Sequence, residues 1–387
     1  MRNNKTENSM RSIWATVVGI LLLLCVAIYL LHSYLFYRSH FSNHVVVDGV
    51  NVSRLTDTEA LDKLSERGTN VVVLQNNKVQ QKHQGGQISP ISKSKLHSYF
   101  KRQYKAFGSK KHWRFADDSI TAKKSALKEL SHETVSYEIA GHAYQLKPND
   151  VASQIYYYDN DYHFEGTDKC QQLINDVNQH YGTLHKSYDF TTPDNQKIKI
   201  TNQSYGWQVD GQKTQNALLA AFKLGDQTVN GDKYLQGEGY NTFGTGYTNV
   251  NNGLGTNYVV ISLKQQKLWV YKDNKPVVTL NNVVTGTVDK AKDDATPAGV
   301  WYIMYKQSPS VLKGKNDDGS PYSSKVQYWM PFTLSGCGIH DASWRTDWSS
   351  QAYLEGGSHG CVNVKPAEIK SVWDNVDQNE PVVIYAD

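Results

Sequence analysis

The chain has 387 residues, long enough for two or three domains of ordinary size. Its 41 Lys and Arg against 37 Asp and Glu, with 39% hydrophobic residues, exclude a disordered polyelectrolyte, and a net charge of +4 does not indicate a nucleic-acid binder. The 25 tyrosines favour strands with one wet face, and four scattered cysteines (Cys25, Cys170, Cys337, Cys361) are too few for a disulfide framework.

The first element is apolar. Ile13 to Leu31 runs 19 residues without a charge, and at ~1.5 Å per residue such a helix crosses a hydrocarbon core of about 30 Å. Arg2, Lys5 and Arg11 precede it against Glu7 alone, and Tyr34, Phe36 and Tyr37 follow as interfacial aromatics. The expectation is a single-pass anchor over 13–31, with residues 1–12 a cytoplasmic tail and the rest outside the cell membrane. A cleaved signal peptide is the competing reading; HSYLFYRSH offers no small-x-small site for it. Cys25 in this span is simply a small apolar residue.

Residues 45–240 read as an α+β region of one or two modules. VVVDGVNVSRL leads into a helix opened by Thr56 and Glu59 at capping-box spacing. A strand at Val71–Leu74, helices at Ser92–Tyr104 and Thr121–Leu130, and a hairpin turning at Ala-Gly-His follow. Then come a second hairpin in IYYYDNDYHFEG, a helix from Thr167 to His180, and a strand passing into a helix between Asp210 as N-cap and Gly225 as stop. Residues 241–256, rich in Gly, Asn and Thr and free of charge, have the composition of a flexible linker. Residues 257–387 alternate apolar and polar residues between turns and are expected to be all-β. The long polar insertion KQSPSVLKGKNDDGSPYSSKVQYW is expected to be a flap over a site.

Chemistry concentrates near the C-terminus, where His340 and Asp341 are followed, 17 residues after His340 is passed, by Ser358-His359-Gly360-Cys361-Val362-Asn363. A free thiol with a pKa near about 8.5 needs an imidazole or main-chain donors to become a nucleophile. His340 is the candidate base. Gly360 permits a sharp turn, so that neighbouring N–H groups can face an oxyanion. A buried structural Cys361 is disfavoured by its Gly-Gly-Ser-His-Gly loop, and zinc by the two ligands that His-x-Cys supplies locally, so no metal and no cofactor is expected. His359 is two residues from Cys361 on extended chain and is poorly placed as base. Asn363 shares a strand face with Cys361 and ties down the loop or meets substrate; Tyr328, Trp329, Trp344 and Tyr353 are candidate groove walls. Strand alternation turns Cys337 away from His340 and from Cys361, as a structural residue. Alternation also separates the Asp341 side chain from the His340 ring, which leaves a side-chain triad open only if the strand bulges.

These residues resemble a known family. His-x17-Ser-His-Gly-Cys-Val-Asn, with TPAG at Thr296–Gly299 and GIHDASW at Gly338–Trp344, is similar to the L,D-transpeptidase (YkuD-like) catalytic domains, over about residues 257–386. VDGVNVSRLT and YGWQVDGQKT resemble the modules that precede such domains in Gram-positive cell-wall enzymes and are thought to bind peptidoglycan. The resemblance implies a β-sandwich-like domain that joins peptidoglycan stem peptides by 3→3 cross-links, through a thioester on Cys361 and with release of D-Ala. It further implies His340 as base, the Asp341 carbonyl as its orienting partner, an oxyanion hole around Gly360 and Cys361 supported by Ser358 and His359, and acylation by carbapenems. The partners so implied are the donor tetrapeptide, the acceptor amine and the cytoplasmic membrane.

Four other readings stand beside it. One keeps the enzyme but changes the acceptor, to water (an L,D-carboxypeptidase or endopeptidase) or to a protein amine; another is an inert wall-binding protein, which the intact Cys, His and Gly disfavour. Sortase lacks a match because Thr-Leu-x-Thr-Cys is missing. Papain-like enzymes place Cys before His, the reverse of this order.

Overall fold

The computed structural model describes residues 3–66, 69–84, 91–115, 120–158, 160–288, 294–316 and 318–386. Arg2 lies outside them, and of Lys5, Glu7 and Arg11 only the backbone is described. The described chain forms two compact units, the first of residues 1–135, 145–170 and 219–227, the second of 136–144, 171–218 and 228–387.

The first unit opens with the helix Asn3–Tyr37, whose Ile13–Tyr37 portion is long and apolar enough to cross a membrane and is unburied along its most apolar stretch. Thr56 and Glu59 close the expected capping box: the Thr56 N–H donates to the Glu59 carboxylate at 2.8 Å and the Glu59 N–H to Thr56 Oγ1 at 3.2 Å. That box starts the helix Asp57–Glu66, which buries Ala60 and Leu64 among Phe41, Val45, Leu96 and Tyr99. A four-stranded sheet, in the order Lys78–Gln84, Thr69–Gln75, Gln154–Tyr158, Asp161–Glu165, carries the expected second hairpin.

The second unit is built on a five-stranded sheet in the order Lys275–Asn281, Lys267–Lys272, Tyr258–Ser262, Pro381–Tyr385, Gly299–Tyr302. Tyr258–Ser262 and Pro381–Tyr385 pair in parallel at its centre and are buried at every position, which is why they read as continuous apolar runs. Val259, Ile261, Leu268, Val270, Val382 and Ile384 turn to one face, against Met330, Ile339, Val362 and Val364. Those four come from a smaller sheet of Trp329–Pro331, Gly338–Asp341 and Val362–Val364, so the C-terminal domain is two sheets over one core, as the β-sandwich-like reading expects.

The opposite face carries Val260, Trp269, Val300, Tyr302 and Val383, and these pack with Phe190, Ile200, Tyr205 and Leu254. Phe190 and Ile200 belong to the hairpin Ser187–Thr191 and Lys197–Thr201. The backing of the sheet therefore comes from residues assigned by composition to the middle region. The stretch 241–256 also differs from a loose linker. Thr245 donates its main-chain N–H to the Gly206 carbonyl at 2.9 Å, Tyr205 Oη donates to the Gly253 carbonyl at 2.7 Å, and Leu254 enters the core. Its glycines serve close packing here: a Cβ at Gly244 would stand 2.6 Å from Trp207 Cβ.

The polar insertion is a two-stranded hairpin, Ser310–Lys315 with Pro321–Val326.

Candidate active site

Gly338–Asp341 lies between Trp329–Pro331 and Val362–Val364 in the smaller sheet. Its parallel register sets His340 opposite Asn363 and Ile339 opposite Val362. Cys361 stands just before its strand, on the approach to the position opposite Gly338. The period of two then puts His340 and Asn363 on one face and sends Ile339 and Val362 into the core.

His340 is 2% exposed. Its Nδ1 is 2.9 Å from the Asp341 carbonyl, where only an Nδ1–H can donate, so in the neutral ring Nε2 carries the lone pair. The Asp341 carboxylate turns elsewhere and accepts the main-chain N–H groups of Gln327, at 2.8 and 3.0 Å, and of Tyr328, at 2.8 Å. Strand alternation thus separates ring from carboxylate. Trp329 and Trp344 flank the imidazole, each with ring centres 5.8 Å away. Burial holds the His340 pKa below the ordinary imidazole value; the Asp341 carbonyl and carboxylate oppose that shift and Arg345 reinforces it.

Cys361 is partly buried, and its Sγ lies 3.6 Å from the Gly336 carbonyl. Burial pushes its thiol up to about 12, Cys337 adds to the rise, and the Gly338 main-chain N–H works against it. At neutral pH the resting pair is therefore thiol and imidazole, not thiolate and imidazolium. The loop that presents Cys361 is held from three sides. Ser358 Oγ donates to the Cys361 carbonyl at 2.5 Å and accepts the Gly360 N–H at 3.2 Å. Thr296 Oγ1 donates to the Gly360 carbonyl at 2.9 Å while accepting the Gly286 N–H at 2.8 Å. Ser358 and Thr287 bridge as well, the Ser358 N–H to the Thr285 carbonyl and the Thr287 N–H to the Ser358 carbonyl, both at 3.0 Å. Gly360 has φ +104°, a conformation that favours glycine, and a Cβ there would meet Cys337 Sγ at 2.7 Å.

That contact corrects the expectation for Cys337. It is 8% exposed within the main core, yet its sulfur lies against Gly360 instead of facing away from the cysteine loop. The regular strand starts at Gly338, so alternation does not reach Cys337. His359 is exposed and stacks on Tyr322 of the flap hairpin, with ring centres 5.8 Å apart and planes 6° apart.

Residues 256–384 match the family model described as the YkuD L,D-transpeptidase catalytic domain. Two solved structures align over most of the chain, each with 27% identity and a TM-score of 0.51. One is a cysteine-to-serine variant of Enterococcus faecium L,D-transpeptidase, covering 67% of this chain and 98% of that one. The C-terminal domain is an L,D-transpeptidase catalytic domain. The second structure is the carbamoyl enzyme that Ldtfm forms with avibactam, covering 68% of this chain and 97% of that one. A Bacillus subtilis (strain 168) protein named for L,D-transpeptidase activity, YciB, is 25% identical over 133 residues, and the match spans 33% of this chain and 64% of that relative.

Around the L,D-transpeptidase site the expected aromatics separate. Trp344 is 49% exposed beside His340, and Trp329 is buried beneath it with Nε1 donating to Tyr305 Oη at 3.3 Å. Tyr328 packs on Trp373, ring centres 5.0 Å apart, and Tyr353 lies half-buried on the short helix Ala352–Gly356. Asn363 is buried, with its amide between His340 and Arg345; the orientation that satisfies both directs its nitrogen to His340 Nε2 at 3.2 Å and its oxygen to Arg345 Nη2 and Nε, both at 3.1 Å. Thr296, Arg345, Gly338 and Tyr322 are the contributors that residue type alone did not single out. Thr296 lies in the TPAG segment and Gly338 and Arg345 in or next to GIHDASW, so their stretches were visible but their contacts were not. Among the described residues no group of three or more His, Cys, Asp or Glu side chains gathers as a metal site.

Proposed function

We propose that the protein is a peptidoglycan L,D-transpeptidase that forms 3→3 cross-links through a thioester on Cys361. The observation that carries this reading is the Nδ1–H bond from His340 to the Asp341 carbonyl, which leaves an unprotonated Nε2 on the strand face beside the cysteine loop. Substrate binding brings the Cys361 thiol to that nitrogen. As Sγ attacks the carbonyl of the third stem residue, the thiol proton passes to Nε2, and the tetrahedral intermediate then expels D-Ala with that proton on its amine. An acceptor amine attacks the thioester, gives its proton to Nε2, and releases Sγ, which recovers the proton as thiol. The Gly338 N–H, which acts on the Cys361 thiol, and the Cys361 N–H are the donors proposed for the oxyanion, whereas the Gly360 N–H is already committed to Ser358 Oγ.

The N-terminal helix is read as a single-pass anchor with a cytoplasmic N-terminus, and residues 45–240 as the part that positions the enzyme on the wall. Of the groove set, Asn363, Trp329 and Trp344 lie nearest to the base, and of the two tryptophans Trp344 is the exposed one. The avibactam carbamoyl enzyme of a relative supports covalent capture by acylating drugs as a probe.

The test incubates the full chain with disaccharide-tetrapeptide and resolves D-Ala release from dimer formation. Wild type is expected to give both, and Cys361→Ala neither, with folding retained. D-Ala release with tripeptide monomer alone would make water the acceptor. A meropenem adduct on Cys361→Ala would remove Cys361 as nucleophile.

A further inference from the structure

His340 Nε2 has a neighbour that the proton-transfer scheme does not use. The Asn363 amide nitrogen is 3.2 Å away, and an amide is a reversible partner: its nitrogen donates to a lone pair and its oxygen accepts from an N–H. Which end faces the imidazole decides which state of the imidazole is favoured. Here the choice is fixed from behind. Arg345 gives two N–H donors, Nη2 and Nε, to the amide oxygen at 3.1 Å each, and a guanidinium has no acceptor with which to hold the nitrogen instead. Arg345 is itself anchored, since Nη1 donates to the Gly356 carbonyl at 2.7 Å.

We propose that Arg345 is a positioning residue of the catalytic centre, which by clamping the Asn363 oxygen presents an amide donor to His340 Nε2 and so holds the imidazole as the neutral Nδ1–H tautomer. The proposal rests on the reading of His340 as base for Cys361. It deepens that reading by naming what keeps the base unprotonated before substrate arrives. An imidazolium would direct an Nε2–H at the amide N–H₂, and relieving that clash would require breaking both bonds to Arg345.

The charged and titratable groups around the ring are few. Asp341 lies on the same strand, its carboxylate spent on the Gln327 and Tyr328 amides; Arg345 stands behind Asn363 with Asp347 acting on it; and the Cys361 thiol lies across on the loop before the adjoining strand. Trp329 and Trp344 supply uncharged walls. Desolvation acts on the ring whatever Asn363 does, and the Arg345 charge lowers the His340 pKa directly, so the variant that isolates the clamp is Asn363→Leu, which keeps that charge and removes the amide: it too should move the acid limb up, and a limb that coincides with wild type overturns the proposal.

The experiment measures meropenem acylation of the full chain in detergent, by mass spectrometry, from pH about 4.5 to 9. Wild type is expected to lose rate on an acid limb centred below about 6.5, the ordinary imidazole value. Arg345→Met should move that limb up by about one pH unit. Arg345→Lys, which keeps a cationic donor, should recover most of the shift; Asn363→Asp, an acceptor in place of the donor, should move the limb further up. A limb for Arg345→Met that coincides with wild type, at whatever plateau, overturns the proposal.

A second readout does not depend on acylation. In ¹⁵N-histidine spectra of the wild-type chain, with His340 assigned through His340→Gln, the neutral ring should carry its proton on Nδ1. A proton on Nε2 overturns the proposal even if every Arg345 variant fails to fold. Absence of any Cys361 adduct in wild type would instead strike the reading of the nucleophile; the His340 titration read from the same spectra in wild type and Asn363→Leu would then decide the proposal, an unchanged midpoint overturning it.

Discussion

Asp341 does two jobs with two different parts of one residue. Its carbonyl takes the His340 Nδ1–H, and its carboxylate takes the N–H groups of Gln327 and Tyr328 at the foot of the flap hairpin. Asp341→Ala keeps the carbonyl and strands two amide donors, so the expected loss is stability, about 2 kcal/mol, with acylation by the folded enzyme falling less than about 10-fold. His340→Ala removes the base and should cost about 100-fold or more. Urea unfolding and meropenem acylation rates on both variants check this; equal and severe rate losses at matched folding would restore a side-chain triad. The separation of ring and carboxylate was legible in the sequence, because adjacent residues on a strand face opposite ways. Arg345 and Thr296 were not legible as partners. Arg345 meets Asn363 across 18 positions and Thr296 meets Gly360 across 64, and only the packed sheets and the 283–287 crossing bring them together.

At the scale of elements, the cysteine loop is made by what it excludes. Gly360 sits at φ +104° with Cys337 Sγ where a side chain would go. Gly360→Ala would combine left-handed strain with a clash against a buried sulfur, and it should abolish acylation while the five-stranded sheet remains folded. Circular dichroism and adduct mass spectra test the two halves separately, and a normal acylation rate would refute the account. Pairing Gly360→Ala with Cys337→Ala relieves the clash but not the strain, so it should restore stability more than rate. The sequence announced the glycine; it did not announce the sulfur, since the orientation of Cys337 depends on where the strand begins, and boundaries are weakly encoded. The insertion was legible as a long polar stretch between strands, whereas its hairpin pairing and the stacking of Tyr322 on His359 depend on tertiary packing.

For the molecule as a whole, the five-stranded sheet buries both faces. One face meets the sheet that carries His340 and Asn363, the other meets Phe190, Ile200 and Tyr205. Composition placed a boundary at 241–256, because Gly, Asn and Thr without charge describe a loose linker and a closely packed loop equally well. The two are separated only by contacts such as Tyr205 Oη with the Gly253 carbonyl. Phe190→Ala should therefore lower the stability of the catalytic sheet by about 3 kcal/mol or more although it is remote in sequence from the motif. The urea midpoint for loss of acylation capacity is the measurement, and an unchanged midpoint would show that the two faces do not share their stability.

The protonated state of Cys361 reaches beyond bond formation. Peroxides and small disulfides are attacked by the thiolate, and a thiol pushed up to about 12 offers almost none of it at neutral pH. Reactivity withheld until a carbonyl and Nε2 are both in place lets the nucleophile outlast its surroundings, so that durability against oxidants and selectivity for acyl donors follow from the same burial.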